Sequence, residues 1–295
     1  MTISVIVPTH NRVALLQQNV ESLLRQDFTD REIIIVNDGS TDGTDRYLSG
    51  LETSMKIVYV RQDNRGPAAA RNAGLRVARG RYAAFTDDDC LAPAGWLSRI
   101  VEVFESGGFD IVGGVVRNCV RDNIYSELSQ DIVNHFVKFL SESPDASGFL
   151  TSNNIAYRTE VIRGAGGFDE RFQRAGGEER ALNYAILRKG GRSTLVTDLL
   201  VDHYHAMTAG SFFKQQCNYG RGSYTFYRIV GKNLNPPPPM IPVSAYLSLL
   251  LSWLRIRSLA GITKAVLFLT AQLMVAAGFV LQALAPRCPS QAVTA

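Results

Sequence analysis

A chain of 295 residues, 46% hydrophobic and 20% charged, has ordinary globular composition and enough length for one generous α/β domain with an appendage. Its net charge of +4, without a long Lys/Arg run, lacks the electrostatic footprint of a nucleic-acid binder, so no nucleic-acid partner is expected. Four dispersed cysteines (Cys90, Cys119, Cys217, Cys288) match no zinc or redox spacing, and a strand pattern starting almost at Met1 leaves no room for a signal peptide; both point to a reducing, cytoplasmic setting.

In chain order, Ile3 to Val7 is a buried strand closed by Pro8 and the polar loop Thr9-His10-Asn11-Arg12. Leu15, Leu16, Val20, Leu23 and Leu24 then recur at helical spacing. Ile33 to Val36 is a second strand, ending in Asn37-Asp38-Gly39-Ser40, where Ser40, Thr41 or Asp42 can cap a helix. Ile57 to Val60 continues the sheet, and Pro67 suits the first turn of a helix over Ala68 to Arg79. Arg65 and Arg71 near that N-terminus can receive phosphate oxygens, because orphan amides and guanidinium charge both favour an anion. Strand, helix and strand joined by short links predict right-handed crossovers and a parallel sheet. Thr9, Asp38 and the end of the next strand then share one edge, where open α/β sheets bind ligands.

That next strand, Arg81 to Thr86, runs into Asp87-Asp88-Asp89. Three adjacent carboxylates repel one another unless a cation sits among them, and hard oxygen donors suit Mg²⁺ or Mn²⁺. Pro93 opens a helix with Trp96, Leu97, Ile100, Val101 and Phe104 on one face, and Ile111 to Val116 reads as a strand. Asn118 to Leu150 shows a loose pattern and reads as a mobile loop on the acceptor side. Glu178 and Glu179 open a helix, where acids suit the dipole; Leu195 to Val201 is another short apolar run, and Phe212 to Arg228 is helix-like.

Pro236 to Pro239 mark a boundary, since such a run favours extended backbone. The expected organisation is a catalytic domain over 1–235 and a Pro-rich linker with a helical tail over 236–295. Val243 to Leu254 is apolar and ends in Arg255-Ile256-Arg257, while Ala265 to Ala285 carries no charge over about 30 Å of helix, a bilayer-crossing length. The tail is expected to associate with a membrane, either peripherally or through a single span, holding the domain at its cytoplasmic face. Gln272 and Gln282 lower the apolarity of the second run, and the alternative is that the two helices pack on each other or on the catalytic domain.

Val5-Ile6-Val7-Pro8-Thr9-His10-Asn11-Arg12, Asn37-Asp38-Gly39-Ser40-Thr41-Asp42-Gly43-Thr44, Gly66-Pro67-Ala68-Ala69-Ala70-Arg71-Asn72-Ala73-Gly74 and Phe85-Thr86-Asp87-Asp88-Asp89 occur in that order. Gly166-Gly167-Phe168-Asp169-Glu170 and Gly177-Glu178-Glu179-Arg180 follow. Together they closely resemble family 2 glycosyltransferases of GT-A fold, across about two-thirds of the chain. The resemblance implies a mostly parallel Rossmann-like sheet flanked by helices. It also implies inverting, metal-dependent transfer of a sugar from a nucleotide-diphosphate sugar to an acceptor hydroxyl on a glycan, lipid-linked or polysaccharide precursor.

By similarity, Pro8, Thr9, Asn11, Arg12, Asp38, Arg65, Arg71, Asp87 and Asp88 belong to the donor side, Asp38 on the base and Asp87 near the ribose. Asn153 and Asn154 would line the acceptor side. Asp89 would hold Mg²⁺ or Mn²⁺, with His205, which alternates with His203, as the imidazole partner. The family usually reads Glu-Asp where this chain has Glu178-Glu179, which assigns the base to Glu179 with Glu178 as its rival. Ala181 stands where a further acid is common, and Tyr219-Gly220-Arg221-Gly222 replaces a Gln/Arg motif with Trp. Two other readings fit paired acids on an α/β sheet: a nucleotidyltransferase, although the first loop lacks a Gly-rich Lys motif, and a catalytically silent sugar-nucleotide-binding membrane protein.

Overall fold

The computed structural model describes residues 1–52, 57–141, 148–172, 176–231 and 240–285. Its first half alternates β1 (Ile3–Thr9), α1 (Val13–Leu24), β2 (Arg31–Asp38), α2 (Thr44–Glu52), β3 (Ile57–Gln62), α3 (Pro67–Val77) and β4 (Tyr82–Phe85). β1 pairs in parallel with β2 and β4, and β2 with β3. Helices cover both faces of these strands, so their apolar runs are continuous rather than alternating: Ile3, Val5, Ile6, Val7 and Ile33 to Val36 are all buried. The register aligns Thr9 with Asn37 and Asp38 with Gln62, and β4 stops opposite Ile6, so the acidic triplet emerges at the same carboxyl edge.

The second half departs from the parallel expectation. β5 (Cys90–Leu91), α4 (Trp96–Gly107), β6 (Ile111–Asn118), α5 (Ile124–Ser141), β7 (Ile155–Arg158), α6 (Thr159–Gly164), α7 (Glu178–Arg188) and β8 (Ser193–His203) complete one mixed sheet of order β3-β2-β1-β4-β7-β6-β8-β5. β7 is antiparallel to both β4 and β6, β6 and β8 run parallel, and β5 is antiparallel to β8. The two-residue β5 pairs Cys90 with His203 and so carries the end of β8 back beside the acids.

The loop expected over Asn118 to Leu150 is overturned across α5, an 18-residue helix. Its apolar positions Leu128, Ile132, Phe136 and Leu140 fall at four-residue spacing on one face. Polar Gln130, Asn134 and His135 interrupt that face in sequence, and its partners lie about a hundred residues away: Phe212 of α8 (Ala209–Gly231), Leu249 and Trp253 of α9 (Val243–Arg255), and Phe268 of α10 (Leu259–Leu284).

The tail is therefore packed on the sheet-bearing part of the chain through a shared core. Lys264 Nζ reaches Asp131 at 2.9 Å and Glu127 at 3.2 Å on α5, and His135 Nε2 lies 2.9 Å from the Ala245 carbonyl. α8 and α10 touch backbone to backbone, because a Cβ on Gly220 would strike the Val275 carbonyl and one on Gly278 the Cys217 carbonyl. Outward, Val243, Leu247, Leu251 and Leu254 of α9 and Ile262, Val266, Leu269, Leu273, Val280 and Leu284 of α10 remain exposed. α10 is long and apolar enough to cross a membrane by length and composition. The proline run expected to mark the boundary, and Cys288, lie outside the described residues.

Candidate active site

The carboxyl edge of β1, β2 and β4 brings three loops together. After β1, Thr9 Oγ1 donates to Asp88 Oδ2 at 2.7 Å, while Arg12 Nη1 donates to Asp88 Oδ1 at 3.0 Å and Asp89 Oδ2 at 2.7 Å. Pro8 is half-buried between buried Val7 and Thr9, and Asn11, with φ 55°, folds back so that its Oδ1 accepts from Thr41 N and its own N–H donates to Ser40 Oγ. The β1 and β2 loops are thereby clasped.

After β2, the Asp38 carboxylate accepts from Gln62 Nε2 (2.7 Å), Arg65 N (2.9 Å) and Gly66 N (2.9 Å). It braces the turn that enters α3, where Gly66 sits at φ 87°. Arg65 itself points outward to Glu170 at 2.7 Å.

The three acids have distinct surroundings. Asp87 is the most open and is held by Arg71 Nη2 at 2.8 Å. Asp88 is turned inward to Thr9 and Arg12, and burial pushes its carboxyl up to about 7, Arg12 opposing. Asp89, 4% exposed, has His203 Nε2 at 3.3 Å from Oδ1 and His205 Nδ1 at 3.4 Å from Oδ2, and the two imidazoles stack at 5.3 Å. His203 Nδ1 lies 3.1 Å from Gln130 Oε1. With the ring hydrogen on Nδ1 for that contact, Nε2 turns a lone pair toward the Asp89 carboxylate, and two acceptors so close require a proton or a metal cation between them. One carboxylate and two imidazoles fit a first-row divalent ion such as Mn²⁺ better than Mg²⁺, which prefers oxygen alone. Cys90 Sγ is also near Asp89, at 3.9 Å, but burial and the adjacent carboxylate raise its thiol well above the ordinary range, which makes it the poorer ligand.

Arg71 differs from the free phosphate-binding cation expected of it. It is 3% exposed, and its guanidinium bridges Asp87 and, at 2.9 Å, Glu178 Oε1. Burial works against its charge, but Asp87, Glu178 and Glu179 outweigh burial and raise its affinity for the proton. Glu178, 1% exposed, accepts from Gly176 N–H at 2.9 Å through its second oxygen, which leaves it spoken for on both sides. Glu179 instead lines a cavity of about 150 Å³, where burial and the neighbouring Glu178 push its carboxyl up to about 8.

Asn154 likewise has a different position from the acceptor wall. Fully buried, it accepts from Trp96 Nε1 at 2.9 Å and donates to the Val115 and Leu199 carbonyls, which fills the irregularity between Gly114 and Val115 of β6. Asn153 is half-buried, and its Oδ1 is enclosed with no hydrogen-bond partner among the described residues. His203 and Gln130 are the additions that sequence reasoning missed: the alternation of His203 with His205 was visible, the β5–β8 pairing that aims both at Asp89 was not.

Residues 4–164 match the family model described as glycosyl transferase family 2. The chain belongs to that family. This family 2 member is 33% identical over 172 residues to an uncharacterised glycosyltransferase of Nostoc sp., an alignment covering 55% of this chain and 52% of that one. It is 26% identical over 225 residues to glycosyltransferase AglE of Haloferax volcanii, 75% of this chain and 72% of that one. It spans about half the length of the Nostoc relative and 33% of EpsJ of Bacillus subtilis. Among solved structures, the mannosyltransferase PcManGT of Pyrobaculum calidifontis, in complex with GDP-Man and Mn²⁺, superposes with TM-score 0.67 at 21% identity, covering 96% of this chain and 87% of that one. TarS of S. aureus with UDP-GlcNAc gives 0.58 at 19% identity, covering 78% and 66%. The fold is thus of GT-A type.

Breaking the buried Asp87–Arg71–Glu178 bridge should cost far more than breaking an exposed pair. Arg71→Leu is expected to lose about 3–5 kcal/mol in urea unfolding, against about 0–1 kcal/mol for Arg65→Ala. Equal midpoints for the two variants would show that the bridge is not buried as described.

Proposed function

We propose that the protein is an inverting glycosyltransferase that takes a nucleotide-diphosphate sugar in the crevice over β1, β2 and β4 and delivers the sugar to an acceptor hydroxyl presented at Glu179. The observation that carries this reading is the division of labour between the two glutamates. Glu178 is committed to Arg71 and a backbone amide, whereas Glu179 faces open volume with a carboxyl raised toward the working pH, as a general base requires.

The acceptor oxygen attacks the anomeric carbon from the face opposite the nucleotide, its proton passes to Glu179, and the bond from that carbon to the diphosphate oxygen breaks with its electron pair going to the oxygen. Attack and departure on opposite faces invert the configuration. Asp89, His203 and His205 would hold the divalent cation, which when bound neutralises diphosphate charge and stabilises the leaving group. Asp87, the open acid, suits the ribose, and Arg71 ties it to Glu178, so the donor and base sides share one rigid support. Arg12 occupies the edge of the same carboxylates and keeps them compatible until a cation arrives. The GDP-Man and Mn²⁺ of PcManGT support this class of donor and metal.

We also propose that α9 and α10 seat the protein on the cytoplasmic face of a membrane, with 1–235 as the catalytic portion. Their exposed apolar stripes, with Arg255 and Arg257 between them, suit an anionic lipid surface. Flotation with anionic vesicles should retain the wild type and release a Leu247→Glu/Leu251→Glu/Leu273→Glu variant. If that variant floats undiminished, the stripes are not the membrane contact.

Thermal shifts with GDP- and UDP-sugars test the donor site. A ligand at about a hundred times its dissociation constant adds about 2.7 kcal/mol. The shift should need Mn²⁺ and vanish in Asp89→Ala; a metal-independent shift that survives the substitution would remove Asp89 from the cation site.

Glu179→Gln should lower transfer by about 10²- to 10⁴-fold with donor affinity kept, and Glu178→Gln should weaken stability more than the chemical step. Because the folded carboxyl titrates at about 8, the base is protonated and idle below that pH, so wild-type kcat should climb with pH toward it. The same sign makes native stability fall as pH rises from the ordinary carboxylate range through about 8, and Glu179→Gln should flatten both trends. A kcat profile flat from pH 6 to pH 9 would rule Glu179 out.

A further inference from the structure

The volume that Glu179 faces is not a crevice of the sheet domain alone. Besides Glu179, its walls include Ile132 and Phe136 of α5, Phe226 of α8, Tyr246 of α9 and Val275 of α10. The tail therefore completes the pocket of the proposed base. We propose that this cavity, about 150 Å³, takes the headgroup-proximal end of the apolar chain of a membrane lipid whose hydroxyl-bearing headgroup is the sugar acceptor, the rest of the chain lying outside it, a reading that rests on the transferase function above.

Three features carry the inference. The first is wall chemistry: a pocket built to hold a free oligosaccharide would pair each hydroxyl, since unpaired buried polar groups cost about 1–3 kcal/mol apiece. Here aromatic and aliphatic side chains from four helices make up most of the exposed wall, and the polar groups, Glu179, Gln216, Ser223 and Gln272 among them, contribute its smaller part. That mixture matches an amphipathic ligand with one polar end.

The second is continuity. α9 and α10 contribute Tyr246 and Val275 inward and expose Leu247, Leu251, Leu269 and Leu273 outward. One pair of helices thus has a lipid-compatible outer face and an apolar inner face bordering the base, so a chain leaving the bilayer meets apolar surface on both sides of that pair. The third is rigidity. Gly220 and Gly278 hold α8 against α10, and a Cβ on Gly222 would strike the Gly176 carbonyl beside Glu179, which fixes the pocket in place before a ligand arrives.

The test uses the full-length protein in detergent and farnesol carrying a benzophenone as the probe. Photolabelling should map to α5, α8, α9 and α10 peptides at the cavity, and unlabelled farnesol should displace it while glycerol does not. Filling the cavity by Val275→Phe or, independently, Ser223→Phe should cut that labelling about tenfold or more. The donor-induced thermal shift, retained in both variants, reports that they are folded. Labelling confined to the outward stripes, or unchanged in both folded variants, overturns the proposal. Cavity labelling in a wild-type protein that no sugar nucleotide shifts would uphold the lipid site and overturn the transferase reading instead.

Discussion

Carboxylate repulsion at the edge of the sheet is the constraint around which the rest is arranged. Asp87, Asp88 and Asp89 leave β4 together, two of them buried, with Glu178 and Glu179 converging from α7. Each acid has its own remedy: Arg71 for Asp87 and Glu178, Thr9 and Arg12 for Asp88, imidazoles and Arg12 for Asp89. Glu179 has no hydrogen-bonded cation among the described residues, and burial and the neighbouring Glu178 raise its proton affinity against the pull of Arg71. The base proposed above is thus the acid whose compensation is least complete, as perturbed groups commonly are at functional sites.

Much of this was legible in the sequence because it is local. The runs Ile3 to Val7 and Ile33 to Val36, the polar turns after them, and the helix entered at Pro67 declare strand, helix and edge without outside help. The acids and their proximity to Thr9 and Asp38 follow from the parallel register. What could not be read depends on distant partners. Arg71 looks like a free cation in sequence, and only the approach of α7 makes it a bridge. Asn154 looks like a polar wall residue and becomes a brace because β6 is irregular at Gly114. α5 hid behind its polar interruptions, since its apolar face is explained only by a tail more than a hundred residues later. The antiparallel insertion of β7 was invisible for the same reason: periodicity reports burial, not direction.

The tail changes how the molecule is divided. By composition it begins as a separate unit after the prolines, yet Leu249, Trp253 and Phe268 share a core with Leu128, Ile132 and Phe136, and Lys264 is pinned by Asp131 and Glu127. Sheet and tail therefore gain stability from each other.

The glycine contacts of α8 have a bearing on how such a protein diversifies. Where two helices meet through side chains, their spacing drifts by small substitutions, a methyl at a time. Where they meet through backbone, as at Gly220 and Gly278, the spacing already stands at its lower limit and has no nearby alternative: any added carbon forces a discrete outward step. Change in the space beside Glu179 is thus channelled into the residues that project into it, Val275, Ser223, Tyr246 and Ile132 among them, while the helical frame stays constant. Relatives that retain these glycines should differ in what the pocket admits and agree in where it lies.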